Sequence, residues 1–279
     1  TLRRSSAASD VYKRQDRQNV QKQLGFKDQG VVVTESFSQW VLEDNFCAGR
    51  PAWEEVGVTM VDDVTPFEHM KLRMLNGTHS TLAYLGFIAG HEFVADAAND
   101  SDFQQLLLEM WQDEIIPTLS MPVGIDLQAY AHDLMARYQN PELHHRLYQI
   151  AMDGSQKLPQ RLLGTLRDHL AANRLPKRVL LAIAGWMRYV TGIQENGNGI
   201  EVQDPLTPKL RQLAQESGFL NGQLNSKKTS EYVHQLLQIE EIFGSDLANH
   251  TIFSQQITSV LQELTENGVR SVLRQKVTA

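Results

Sequence analysis

One cysteine, Cys47, stands alone in 279 residues, so no disulfide framework can form, and a reducing compartment, the cytoplasm, is the natural setting. No stretch approaches the roughly 18 consecutive apolar residues of a membrane span, and the basic N-terminus lacks the apolar run of a signal peptide. There is no H-E-x-x-H or comparable ligand spacing, so a metal site is not expected. G-x-S-x-G is absent too, which argues against a serine hydrolase. No G-x-G-x-x-G follows a strand, and no βαβ series occurs, so the chain has no readable dinucleotide-binding half. Excess positive charge is missing as well. The net charge is −7; Arg3, Arg4, Lys13 and Arg14 against Asp10 give residues 1–15 a net +3 and leave −10 for the rest. An acidic body of this kind excludes nucleic acid and an anionic membrane surface as main partners.

What is present is helix. Residues 63–90, DVTPFEHMKLRMLNGTHSTLAYLGFIAG, organise the chain. Thr65 is a good N-cap, Pro66 suits the first helical position, Glu68 completes a capping box, and Gly90 is a stop signal. At about 100° per residue, Glu68 and His79 fall within about 20° of each other, with Lys71 about 60° to one side and Asn76 about 80° to the other. Leu72, Leu75, Leu82 and Gly86 share that side. A carboxylate, an amine, an amide and an imidazole among leucines suggest a partly buried polar pocket, in which burial would lower the lysine pKa and fit it for proton transfer. The competing reading is a solvated face with an i,i+3 Glu–Lys pair.

The remaining chain reads as helices with punctuation: about 101–117, 126–137, 141–152, 159–172, a buried one over 178–193, then 206–217, 228–243, 252–266 and a short last one. DGSQKLP is expected to be a loop and ENGNG a turn. Residues 1–15 resemble nothing else in the chain and read as non-native; 16–33 read as the remnant of a preceding domain, and 34–279 as one helical domain. Cys47 reads as a small buried hydrophobe.

The string KLRMLNGTH resembles the K-x4-N-x2-H signature of the long-chain mannitol dehydrogenase family. ESFSQWVLEDNFCAGRP at 35–51, IAMDGSQKLPQRLL at 150–163, WMRYVTGIQENG and the DPL at 204–206 agree, so the resemblance runs from about residue 30 to the end. It implies an all-α, multi-helical C-terminal domain of the 6-phosphogluconate-dehydrogenase-like type, whose N-terminal Rossmann partner, holder of NAD, is missing from this chain. It implies Lys71 as general acid/base, Asn76 and His79 as the groups that hold the reacting oxygen, and Lys157 as a substrate-binding cation. Glu68 is left between proton relay and capping box. The mannitol-oxidising branch carries arginine where this chain has Gln149. That departure favours the fructuronate-reducing branch, hence reduction of D-fructuronate to D-mannonate. Alternatives are a mannitol or polyol 2-dehydrogenase, or a non-catalytic helical fragment. Arg137, Arg146 and Arg161 are candidates for a carboxylate clamp, with ordinary helix-surface pairing expected for each. His144 and His145, being adjacent, point to different sides of a helix.

Overall fold

The helix expected over 63–90 forms, but it is not a plain α-helix. In the computed structural model, which describes residues 14–31, 37–218 and 226–275, it runs as α2 (Thr65–Met70), a π-helical turn (Lys71–Gly77), α3 (Thr78–Thr81) and a second π-helical turn (Leu82–Gly86). Gly90 ends it at φ 93°, a left-handed conformation that glycine adopts without a Cβ penalty.

Two compact units divide at this helix, residues 1–64 and 65–279. In the first, α1 (Arg14–Leu24) lies where a frayed remnant was expected. Of the run 31–33, Val31 is buried and the rest lies outside the described residues, as do residues 1–13. Strands β1 (Val41–Glu43) and β2 (Thr59–Val61) pair in parallel, Val41 opposite Thr59. Arg50 ties the connection by donating to Asp44 Oδ1 at 2.7 Å and Glu54 Oε2 at 2.5 Å, and Trp53 packs against Trp40 and Phe46. Cys47 is exposed, not buried as expected: it lies in the turn that follows β1, not on an element with a covered face.

The second unit is all-α. Its helices are α4 (Val94–Ala98), α5 (Ser101–Glu109), α6 (Leu127–Tyr138), α7 (Leu147–Ala151), α8 (Gly154–Leu158), α9 (Gly164–Ala171), α10 (Lys177–Tyr189), α11 (Thr207–Glu216), α12 (Ser226–Leu237), α13 (Glu240–Ala248) and α14 (Thr251–Gln275). The apolar stretch read as a core helix is α10, with every residue from Val179 to Met187 buried. Its exposed-end problem is solved by the buried carboxylate of Glu114, which accepts from the backbone N–H of Arg178 and Val179, at 2.9 and 2.8 Å from its nearer oxygens. A helix start leaves such donors unmatched and favours negative charge there. α14 packs along α10 and breaks at Gly268, beyond which Glu195 Oε1 receives the Val269 N–H at 2.6 Å.

Two boundaries differ from the sequence reading. Residues 141–146 are not helical, since His145 lends its carbonyl to Val94 and Arg146 bridges to Phe93 instead. The expected loop DGSQKLP is helical from Gly154 onward: Asp153, at φ 55°, makes the turn, and Pro159 is accommodated by a further π-helical turn, Pro159–Leu163. The wider turn answers the missing proline N–H and the bulk of its ring.

Candidate active site

Opening a helix to i→i+5 bonding leaves carbonyls poorly matched, and π-turns of this sort are frequent at functional sites. Here side chains take up the carbonyls of the first turn. Met74 O accepts from Trp111 Nε1 at 2.9 Å and Thr78 Oγ1 at 2.5 Å; Leu75 O accepts from Tyr138 OH at 2.8 Å; Gly77 O accepts from Thr81 Oγ1 at 2.9 Å. Four buried residues from α3, α6 and the neighbouring π-turn Met110–Ile115 thus fix a backbone shape that helix propensity alone would not hold.

The geometry changes which polar groups align. A π-turn advances less than 100° per residue, so residues five apart stand one above the other, as residues four apart do in an α-helix. Lys71 and Asn76 are therefore neighbours on one face. Glu68 and His79, in register at α-helical pitch, are carried apart by the intervening turn: Glu68 is exposed and His79 is half-buried. Lys71 is exposed as well, so the leucine-lined burial expected to lower its pKa is not found in this chain. Asn76 is half-buried.

His79 packs on Tyr138 at a tilt of 32°, ring centres 4.5 Å apart, with the His145 ring 6.3 Å away. Loss of water pushes its pKa down to about 3, and His145, Arg161 and Arg137 push the same way. The imidazole is neutral at physiological pH, able to donate from one nitrogen and accept at the other.

A second line of groups comes from α8 and the π-turn that follows it. Lys157 is half-buried and donates to Ile150 O at 3.2 Å; burial and Arg161 lower its pKa to about 8. Burial thus lowers an amine pKa at Lys157, which the sequence reading took only for a substrate-binding cation. Asp204, in the DPL segment, anchors this helix by accepting from Ser155 N at 2.7 Å and Ser155 Oγ at 2.6 Å. The two π-turns meet at Gly77, where an added Cβ would stand 2.7 Å from Arg161 O.

Arg161 is half-buried and donates to Ser80 Oγ at 3.0 Å, unlike the surface pairing expected of it. Arg146 does pair at the surface, with Glu92 at 3.4 Å. Tyr138 was not singled out from the sequence, and His145 was noted there only as the neighbour of His144, pointing to a different side of a helix. Only tertiary packing brings either to His79. Among the described residues no group of three His, Cys, Asp or Glu side chains could hold a metal ion, and no helix is long and apolar enough to cross a membrane.

Residues 63–265 match the family described as the mannitol dehydrogenase C-terminal domain. Over 254 residues the chain is 45% identical to D-mannonate oxidoreductase of Escherichia coli (strain K12), an alignment covering 91% of this chain and 50% of that protein. It is 35% identical over 261 residues to mannitol 2-dehydrogenase of Aspergillus niger (strain ATCC MYA-4892 / CBS 513.88 / FGSC A1513), covering 92% and 51%. The fold matches that of Pseudomonas fluorescens mannitol 2-dehydrogenase, solved as a ternary complex with NAD and D-mannitol, with a TM-score of 0.82, 34% identity, and coverage of 95% of this chain and 52% of that one. The chain spans about half the length of the relatives it matches.

Proposed function

The chain belongs to the mannitol dehydrogenase C-terminal domain family, and we propose that it is the substrate domain of an NAD-dependent oxidoreductase reducing D-fructuronate to D-mannonate. The observation that carries this reading is the first π-turn. It stacks Lys71 over Asn76 and leads directly into a neutral, half-buried His79. In the reduction, the Lys71 ammonium gives its proton to the carbonyl oxygen. The Asn76 amide and the His79 N–H hold that oxygen as charge builds on it, which is where fixed donors lower a barrier most. A neutral imidazole donates to the oxygen without itself competing as an acid. Glu68, exposed one turn before Lys71, is placed to pass protons between the amine and solvent. Lys157 binds the sugar chain.

The described residues do not fit a dinucleotide. Their one sheet pairs two strands of three residues, and no glycine-rich turn joins a strand to a helix. The nicotinamide chemistry thus belongs to the half of the relatives' length that this chain does not span, and only the proton and the positioning of substrate are assigned here.

Greater identity to D-mannonate oxidoreductase than to mannitol 2-dehydrogenase supports a ketouronate substrate, as does Gln149. A polyol is the second reading, favoured by the fold match to the mannitol-bound enzyme. With this domain joined to its cofactor half, kcat/KM for D-fructuronate and for D-fructose decides between them. Equal efficiency, or a preference for fructose, refutes the ketouronate assignment.

A further inference from the structure

We propose that Arg161 is the group that receives the substrate's carboxylate, which makes this a site for sugar acids over neutral polyols. The inference rests on the reading of this pocket as the sugar site and goes beyond it in naming the anion-binding residue.

The case begins with how arginines are used elsewhere in the fold. Arg73 pairs with Asp168, Arg167 with Asp246, Arg178 with Glu109, and Arg270 with Asp100. Arg188, also held largely away from water, donates within its own hairpin to Thr191 Oγ1 and to Ile193 O. Arg161 differs. Among the described residues its one hydrogen bond is to Ser80 Oγ, at 3.0 Å, and no carboxylate lies within ion-pair distance. A guanidinium has a planar fork of donors suited to two carboxylate oxygens at once, and most of this fork is unspent. Burying a cation without a counter-ion is costly, and burial does disfavour the charged form of Arg161. The expense is not relieved nearby. Lys157 follows the same side of the same helix, and Arg137 and His145 act with Arg161 on His79. The carboxylates that reach this region, Asp153 and Asp204, act on Lys157, and Asp204 is already occupied by Ser155.

Placement fits as well. Arg161 sits on the π-turn that abuts Gly77, one residue from Asn76. An anion on its fork would therefore lie across the pocket from the groups proposed to hold the reacting oxygen. Ser80, one residue after His79, fixes the guanidinium from the side of the first turn.

The test is calorimetric titration of the full chain with D-mannonate and, separately, D-mannitol. D-mannonate should bind about 10- to 100-fold more tightly, the usual worth of hydrogen bonds to a charged group. The excess should shrink as salt is raised. Arg161→Gln should remove most of the difference, and Arg161→Lys, which keeps the charge but loses the fork, should restore part of it. The salt titration needs no substitution, so it stands even where a variant does not fold. Equal binding of the two probes to the unmodified chain overturns the clamp and leaves the sugar site intact. Binding of neither overturns both. D-mannonate selectivity that survives Arg161→Gln overturns the assignment to this residue.

Discussion

Gly77→Ala is the sharpest probe of the site's construction. The added methyl would stand 2.7 Å from Arg161 O, a backbone atom that cannot swing aside, whereas ordinary contact begins at 3.4 Å. The two π-turns must therefore part by roughly 0.7 Å. Overpacking of this kind costs about 1–3 kcal/mol. Alanine returns about 1 kcal/mol through its helix propensity, so the net loss is about 1 kcal/mol, a fall in melting temperature of about 2–4 °C. The functional loss should be larger. Asn76 lies on one turn and His79 just beyond it, Arg161 lies on the other and Lys157 just before it, and misplacement by about 1 Å can cost about 10²-fold in rate. A fall of at least tenfold in kcat is expected, read as NADH consumption with D-fructuronate in an enzyme carrying both halves. Gly164→Ala is the control: its methyl would meet only the tip of the flexible Arg73 side chain, at 3.4 Å, and should leave both melting and turnover near normal. Unchanged melting and turnover in Gly77→Ala would mean that the turns do not meet as described.

Lys71→Ala should lower kcat by about 10²-fold or more while leaving the melting curve unchanged, because the residue is exposed; normal turnover would remove Lys71 from the mechanism. His79, with a folded pKa of about 3 against an ordinary 6.5, is neutral when folded and protonated when unfolded between those values. The unfolded state binds the extra proton there, so stability is full above pH 6.5 and falls towards pH 3, by up to about 1.4 kcal/mol per unit. The imidazole carbon shift in an NMR titration should stay at its neutral value down to pH 5, and a midpoint near 6.5 refutes the dry pocket. Trp111→Phe removes one of two donors to Met74 O and should cost about 1 kcal/mol by denaturant melting; a larger loss would mean that Thr78 does not share the carbonyl. The chain alone should show no micromolar affinity for NADH by calorimetry, since it offers no phosphate cradle.

The helices were legible because their signals are local. Asp126 does cap α6, accepting from Gln128 and Ala129 N–H, and Gly90 does end the long helix. The apolar run of α10 announced its burial. The site was half legible. K-x4-N-x2-H drew attention to the segment that forms the first π-turn, but phases reckoned at a uniform 100° placed Glu68 beside His79 and set Lys71 among buried leucines. Nothing local announces a π-turn, because what stabilises it is Trp111 and Tyr138, 37 and 63 residues further on. Pro159 carried the one hint available, since a proline after five helical residues needs some departure from α geometry. Read as a helix start, it hid Lys157 in a supposed loop.

The π-turns also give the K-x4-N spacing its physical sense. In an α-helix residues five apart diverge by about 140° and cannot hold one small oxygen between them. Widened to i→i+5, the same spacing stacks them. The widening is held by buried donors from three elements, so an amine and an amide are positioned on rigid backbone rather than on a loop. The consequence is a division of charge across the pocket. In the proposed reaction His79, on α3 just beyond the first turn, would face the oxygen that changes bonding, while Lys157 on α8 and Arg161 on the π-turn after it would meet a part of the sugar that does not. Binding energy gathered by the second turn is then available to hold the carbonyl against the first, where only the proton moves.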